Sequence, residues 1–222
     1  MVETAARSAF PLVWRLSSSR RTHGGHVLVA VGVGYTGAVG LAAARHLHNH
    51  GQDVEVLLPT PSTREVTTRQ LEACVAAGVP VRTLLDSIRE FPSLCIDALT
   101  GVSHSGQHIE AIERSIAIIT ACRNAPLKGP EQRDDSPSRS NVLSIEPPSG
   151  IDPTTGVADE VHVVADATIC FGFPRTGMGA PECGELFVAD IGVPPRVYRR
   201  EATIAHPCHF GETFIVRLRR NP

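Results

Sequence analysis

No apolar run in the sequence approaches the roughly 20 residues that a membrane-spanning helix requires, so a membrane-embedded role finds no support. An excess of basic charge is also missing. The formal net charge is -2, which offers no broad attraction for phosphate backbones and argues against nucleic acid as a partner. Cys74, Cys95, Cys122, Cys170, Cys183 and Cys208 form no Cys-x-x-Cys pair and no Cys/His spacing of a zinc site. They are read as reduced thiols, which fits a cytoplasmic location. A Gly-x-Ser-x-Gly elbow is absent too, so nothing points to a nucleophilic hydrolase.

What the sequence does hold is regular alternation. Its 222 residues, 42% hydrophobic and 20% charged, suit a soluble globular chain long enough to bury a core as one domain. The first 25 residues carry Arg7, Arg15, Arg20 and Arg21 among serines, as an organellar transit peptide does, but Glu3 fits one poorly. Ala6, Phe10, Val13 and Leu16 recur at helical spacing, and a helix over 2–16 is the preferred reading. Strands are expected at 26–31, 53–58, 79–84, 94–99, 142–145, 167–171 and 185–190, and further helices at 38–49, 66–77 and 108–122. The stretch 124–140, with Lys128, Glu131, Asp134, Asp135 and several prolines, reads as a solvated loop insertion, and 201–222 as a C-terminal tail without a pattern. The order predicts an α/β chain: a three-layer Rossmann-like fold over 1–200 with a mostly parallel central sheet. Ligands of such sheets sit beyond the carboxyl ends of the strands.

Three loops occupy those ends. Gly32-Val33-Gly34-Tyr35-Thr36-Gly37 is a literal GxGxxG between an expected strand and an expected helix, where glycine backbone and helix amides can cradle a phosphate. Its plain alternative is a tight turn. A conventional NAD site would also want an acid at the end of the second strand, yet that strand closes Leu57-Leu58-Pro59-Thr60, and Glu55 lies inside it. In the second loop, Asp97-Ala98-Leu99-Thr100-Gly101, a carboxylate near the end of a buried strand demands a partner or a cation. The alternative is a helix cap or a loop-tethering hydrogen bond. The third loop, Glu146-Pro147-Pro148-Ser149-Gly150-Ile151-Asp152-Pro153-Thr154-Thr155-Gly156, presents acids and hydroxyls in a proline-fixed frame. These are hard oxygens suited to an alkali or alkaline-earth cation or to ribose, although Asp152 can equally form an Asx-turn. His46 with His50, and His104 with His108, stand at i, i+4 without a third metal ligand in view.

With these loops in hand, the chain resembles the NAD(P)H-hydrate epimerase family (YjeF N-terminal domain) from Met1 to about residue 200. Met1-Val2-Glu3-Thr4-Ala5-Ala6-Arg7 is similar to that family's L-M-E-N-A-G-R helix, so the chain is expected to start inside the fold. Residues 32–40 stand where the family has G-P-G-N-N-G-G-D-G; Asp97-Ala98-Leu99-Thr100-Gly101 resembles V-D-A-[IL]-x-G. Pro148-Ser149-Gly150-Ile151-Asp152 with Thr155-Gly156 resembles P-S-G-[ILVW]-D-x-x-T-G, and the run from Gly184-Glu185-Leu186 to Ile191-Gly192-Val193-Pro194 resembles the closing G-E-L-x-x-x-D-I-G-[IV]-P.

The resemblance implies an isomerase that interconverts the R and S epimers of hydrated NADH or NADPH, so that a partner dehydratase can restore the cofactor. It implies a potassium ion held by Thr36, Asp97 and Ser149, and contacts to the nucleotide from Gly34, Tyr35, Thr36, Gly37, Gly101, Ser103, Ser105, Gly106 and Glu146. Glu146 and Asp152 are the residues expected to carry the chemistry, and a homodimer is implied as well. The chain departs from the family pattern where Tyr35-Thr36 replaces an Asn pair, Val39 replaces an Asp, Glu146 replaces an Asp, Thr60 stands for a Lys and Gln107 for an Asp. The alternative is a weakened or non-catalytic nucleotide-binding protein on the same scaffold. A nicotinamide-dependent reductase is disfavoured by the missing ribose acid.

Overall fold

A computed structural model describes residues 1–18, 25–62, 64–83, 91–102, 110–125, 139–197 and 210–219. Among the described residues four α-helices, α1 (Val2–Ser18), α2 (Tyr35–Asn49), α3 (Glu65–Ala76) and α4 (Glu110–Asn124), flank one sheet. Its strands are β1 (Val27–Val31), β2 (Val54–Leu57), β3 (Val81–Arg82), β4 (Leu94–Ala98), β5 (Asn141–Ile145), β6 (Ala167–Phe171), β7 (Glu185–Ala189) and β8 (Ile215–Arg217). Their spatial order is β3-β2-β1-β4-β5-β6-β7-β8. Every pair is parallel except β7 with β8.

The expected three-layer α/β architecture is therefore present. Side chains of β1 divide by parity, as the period of two requires. Val27, Val29 and Val31 join α1 and α2 in one core, whereas Leu28 and Ala30 face Ile112, Ile116 and Ile119 of α4 on the other side. A strand covered on both faces has no polar alternation, which is why β1 reads as an unbroken apolar run and β4 as one interrupted only by Asp97. On α1 the buried stripe runs through Ala6, Ala9 and Val13, with Phe10 and Leu16 at its margin. Two observations refine the expected elements. α2 begins at Tyr35, three residues earlier than expected, so the second half of the glycine motif is helix. β8 lies in the stretch beyond residue 200 where no pattern was legible.

Glu55 is buried on β2 because His26 bonds one carboxyl oxygen at 3.2 Å and Arg82 takes the other. That acid is thus committed inside the sheet and does not reach the strand's carboxyl end, as the sequence reading required.

Candidate functional site

Because β1, β4 and β5 are adjacent and parallel, their carboxyl ends deliver all three loops to one edge of the sheet. The first loop is shaped by close approach. A β-carbon on Gly32 would sit 1.8 Å from the Leu99 carbonyl oxygen, and one on Gly37 would sit 1.9 Å from the Gly32 carbonyl oxygen. Only glycine admits those contacts. Gly34 differs, since a methyl there would meet nothing within 4 Å. It is also the residue that precedes α2, where no side chain caps the helix, so the first amides of α2 are presented to a ligand. Thr67 of α3 donates its hydroxyl to the carbonyls of Val33 (2.9 Å) and Gly34 (3.1 Å), and Ser62 donates to Val33 at 3.0 Å. Neither clamp is readable from the motif.

Tyr35 is 65% exposed, while Val39 is buried in the core. Thr36 lies against the second loop: a β-carbon on Gly101 would sit 2.1 Å from its Oγ1. That contact places a hydroxyl oxygen beside the loop of Asp97.

Asp97 is only 1% exposed, and its carboxylate is fully engaged. Oδ1 accepts from Ser149 Oγ at 2.6 Å and from the Leu99 amide at 3.2 Å; Oδ2 accepts from the Ser149 amide at 2.8 Å and Ser144 Oγ at 2.9 Å. Burial raises its pKa, and these donors oppose the rise. Ser149 Oγ accepts in turn from the Thr100 amide at 3.2 Å and bonds the Thr100 hydroxyl at 3.1 Å. The result is a chain of hydrogen bonds that ties the second loop to the third. Asp97 thus tethers the two loops, with the hydroxyl oxygens of Ser144 and Ser149 and the amides of Leu99 and Ser149 around its carboxylate. Among the described residues no group of three His, Cys, Asp or Glu side chains could hold a metal. His46 instead bonds Glu3 at 3.0 Å, and His50 bonds the His46 carbonyl at 2.8 Å.

Glu146 stands at the end of β5 with φ 65, the one positive-φ residue other than glycine among those described. Its amide is held by the Ile169 carbonyl at 2.8 Å, and its Oε1 accepts from the Phe171 amide at 3.3 Å. The carboxyl thereby lies across the ends of β5 and β6. Burial pushes its pKa up to about 7, although the Phe171 amide and the charge of Arg175 pull the other way. Asp152 contrasts with it. This exposed carboxylate uses Oδ1 to accept from the amides of Thr154 (2.9 Å) and Thr155 (2.6 Å) and from the Thr155 hydroxyl (2.9 Å), and those donors hold its pKa down. It is an Asx-turn that shapes the third loop.

The structure thus brings together Gly34, Tyr35, Thr36, Gly37, Asp97, Gly101, Glu146 and Ser149 at adjoining strand ends. Ser103, Ser105 and Gly106 lie outside the described residues, as do His104, Gln107, His108 and the body of the 124–140 insertion.

A family model described as "YjeF-related protein N-terminus" matches residues 1–177. The chain belongs to this family. Among relatives, an NAD(P)H-hydrate epimerase of Dehalogenimonas lykanthroporepellens is 31% identical over 98% of this chain and 82% of its own length. An NAD(P)H-hydrate epimerase of Microbacterium testaceum is 29% identical over 98% of this chain and 78% of its own. A bifunctional NAD(P)H-hydrate repair enzyme of Archaeoglobus fulgidus is 30% identical over 79% of this chain but only 34% of its own length. The crystal structure of yeast ynu0, YNL200c, aligns with TM-score 0.79 at 21% identity, covering 98% of this chain and 88% of that one, and shares the fold.

Proposed function

We propose that the chain is an NAD(P)H-hydrate epimerase, an isomerase that interconverts the R and S forms of hydrated NADH or NADPH. The observation that carries the reading is Glu146, a carboxyl that changes protonation near neutral pH at the edge where phosphate-binding amides and the Asp97–Ser149 oxygens meet. Inverting a hydroxyl-bearing carbon by departure and return of the hydroxyl needs a group that gives a proton to the leaving oxygen. As water re-adds from the opposite face, the same group takes a proton back. One C–O bond breaks and one forms, no electron is gained or lost, and the acid is regenerated. A group that titrates near the working pH suits both halves.

The remaining residues divide the work. Gly34 and the first amides of α2, at Tyr35, Thr36 and Gly37, receive a phosphate of the nucleotide, and Gly101 leaves room for Thr36. Ser103, Ser105 and Gly106 are assigned to the nucleotide by resemblance. Asp97 and Ser149 fix the second loop to the third, and Asp152 keeps the third loop folded rather than touching the reacting atoms. Thr36, Asp97 and Ser149 would hold a potassium ion, which when bound supplies positive charge beside the nucleotide. The donor set fits in kind, because it is hard oxygen throughout with one carboxylate. A dehydratase acting on one epimer is the functional partner this activity requires, and the relatives called bifunctional repair enzymes support that pairing. The family resemblance also supports a homodimer.

A second reading, a non-catalytic nucleotide binder, is favoured by one observation: Val39 is packed in the core where the family pattern has an acid. One experiment separates the two. A dehydratase specific for one epimer, given mixed epimers, stalls at about half conversion, because slow spontaneous inversion limits the rest. Addition of this protein should carry the conversion toward completion. Nucleotide binding by calorimetry without that acceleration would support the binder instead.

A further inference from the structure

Thr100 lies two residues past the end of β4, with the first loop on one side and the third on the other. Ala98 pairs with Val31, and Asp97 pairs with Ser144. Gly34 is three residues past Val31 while Thr100 is two past Ala98, and Thr100 is three past Asp97 while Glu146 is two past Ser144. The three residues therefore leave adjacent strands within one residue of the same level. Neighbouring strands lie about 4.8 Å apart, so Thr100 stands midway along a span of roughly 10 Å from the start of α2 to Glu146. The contacts agree with that placement. A β-carbon on Gly101, the next residue, would sit 2.1 Å from Thr36 Oγ1, and on the opposite side the Thr100 amide and hydroxyl reach Ser149 Oγ at 3.2 and 3.1 Å.

A serine hydroxyl has one proton and two lone pairs. Ser149 Oγ gives its proton to Asp97 Oδ1 at 2.6 Å, and its lone pairs take the amide and the hydroxyl of Thr100. The proton in the 3.1 Å bond is therefore that of Thr100, whose oxygen keeps two lone pairs of its own. Among the described residues no group donates to them, and Thr100 is half-buried rather than sealed in the core. Asp97 fixes the direction of the chain, since as a carboxylate it only accepts and is itself held by Ser144 and Leu99. Thr100 Oγ1 is thus an acceptor, oriented before any ligand arrives.

We propose that Thr100 is a substrate-binding residue whose hydroxyl oxygen accepts a hydrogen bond from a ribose hydroxyl in the nicotinamide half of the nucleotide. The inference rests on the epimerase reading above. With a phosphate on the first amides of α2 and the reacting ring at Glu146, the part that crosses the end of β4 is the sugar joining them. Its hydroxyls can donate, which the phosphate oxygens cannot, and a fixed acceptor selects the group that donates.

The test is calorimetry on the full chain with nicotinamide mononucleotide and its 2′,3′-dideoxy analogue, for wild type, Thr100→Val and Thr100→Ser, in potassium and in sodium buffer. Wild type should bind the mononucleotide about tenfold more tightly than the analogue. Thr100→Val, similar in shape but without the hydroxyl, should lose about tenfold for the mononucleotide and nothing for the analogue, and Thr100→Ser should keep the wild-type preference. The comparison of the two ligands on wild type needs no variant to fold, and their equal affinity there overturns the proposal. An equal loss for both ligands in Thr100→Val overturns it as well, because Thr100 then acts only by holding Ser149. Unchanged nucleotide affinity in that variant, with loss of a potassium-dependent rise in melting temperature, gives the lone pairs to a cation and likewise overturns it. A hydroxyl-dependent affinity lost in Thr100→Val, in a wild type that fails to equilibrate R and S hydrates, supports the ribose contact while removing the epimerase reading.

Discussion

Glu146 carries two features that a purely structural residue would shed. A glutamate at positive φ costs on the order of 1 kcal/mol relative to glycine, and its buried carboxyl resists ionisation. Its folded pKa, about 7, stands above the unfolded value. The stability this contributes is therefore complete at acid pH below the unfolded value and is lost as pH rises toward 7. Glu146→Gln keeps the oxygen that accepts from Phe171 and removes the charge. It should raise the melting temperature at pH 8, through roughly 3 kcal/mol of added stability, with the difference vanishing at about pH 4. Equal melting temperatures for the two proteins at pH 8 would refute the buried-carboxyl assignment. Asp97→Ala should cost about 3 kcal/mol or more by leaving the Ser144, Ser149 and Leu99 donors buried without their acceptor, as a urea unfolding curve would measure. At this scale legibility was uneven. An acid inside an apolar strand announces Asp97, but nothing in a local motif announces Ser144 or Thr67, which reach the site from other elements through tertiary packing.

The β1–α2 unit shows why its glycines are not interchangeable. Gly37→Ala would drive a methyl into the Gly32 carbonyl and should destabilise the fold by about 3 kcal/mol or unfold it. Gly34→Ala meets no neighbour, and its φ of -95 suits any residue. It should leave stability within about 0.5 kcal/mol of wild type yet weaken nucleotide binding, which calorimetry with an NADP-like ligand would register. Unchanged affinity would remove the α2 amides from the site. The motif made this unit legible as strand, turn and helix. It misplaced the start of α2, because a run of glycines has poor intrinsic helix propensity and only packing against β1 and β4 makes Tyr35, Thr36 and Gly37 helical. A β-carbon on Gly40 would lie 2.6 Å from that of Ala98, a measure of how closely α2 is pressed onto β4.

For the whole molecule, the parallel centre of the sheet was legible because strands covered on both faces have no choice but to be apolar. β8 was not, because three residues at an antiparallel edge carry no period to detect. Asp166 links distant stretches in the same unannounced way. Burial works against its ionisation, but Arg139 at 2.6 Å, Arg123 at 3.1 Å and the Val142 amide at 2.8 Å hold its pKa down. Asp166→Asn should loosen the entry to β5 without touching the strand ends, lowering stability by about 1–3 kcal/mol. Its kcat in the epimerase assay should remain that of wild type, and a large loss of kcat at full folding would contradict that separation of scaffold from site. The most direct test of the central claim is the rate at which the purified protein equilibrates R and S hydrates at pH 7, measured for wild type beside folded Glu146→Gln. A fall of about 10²-fold or more in the variant is predicted; equal rates, or no acceleration by the wild type, would contradict it.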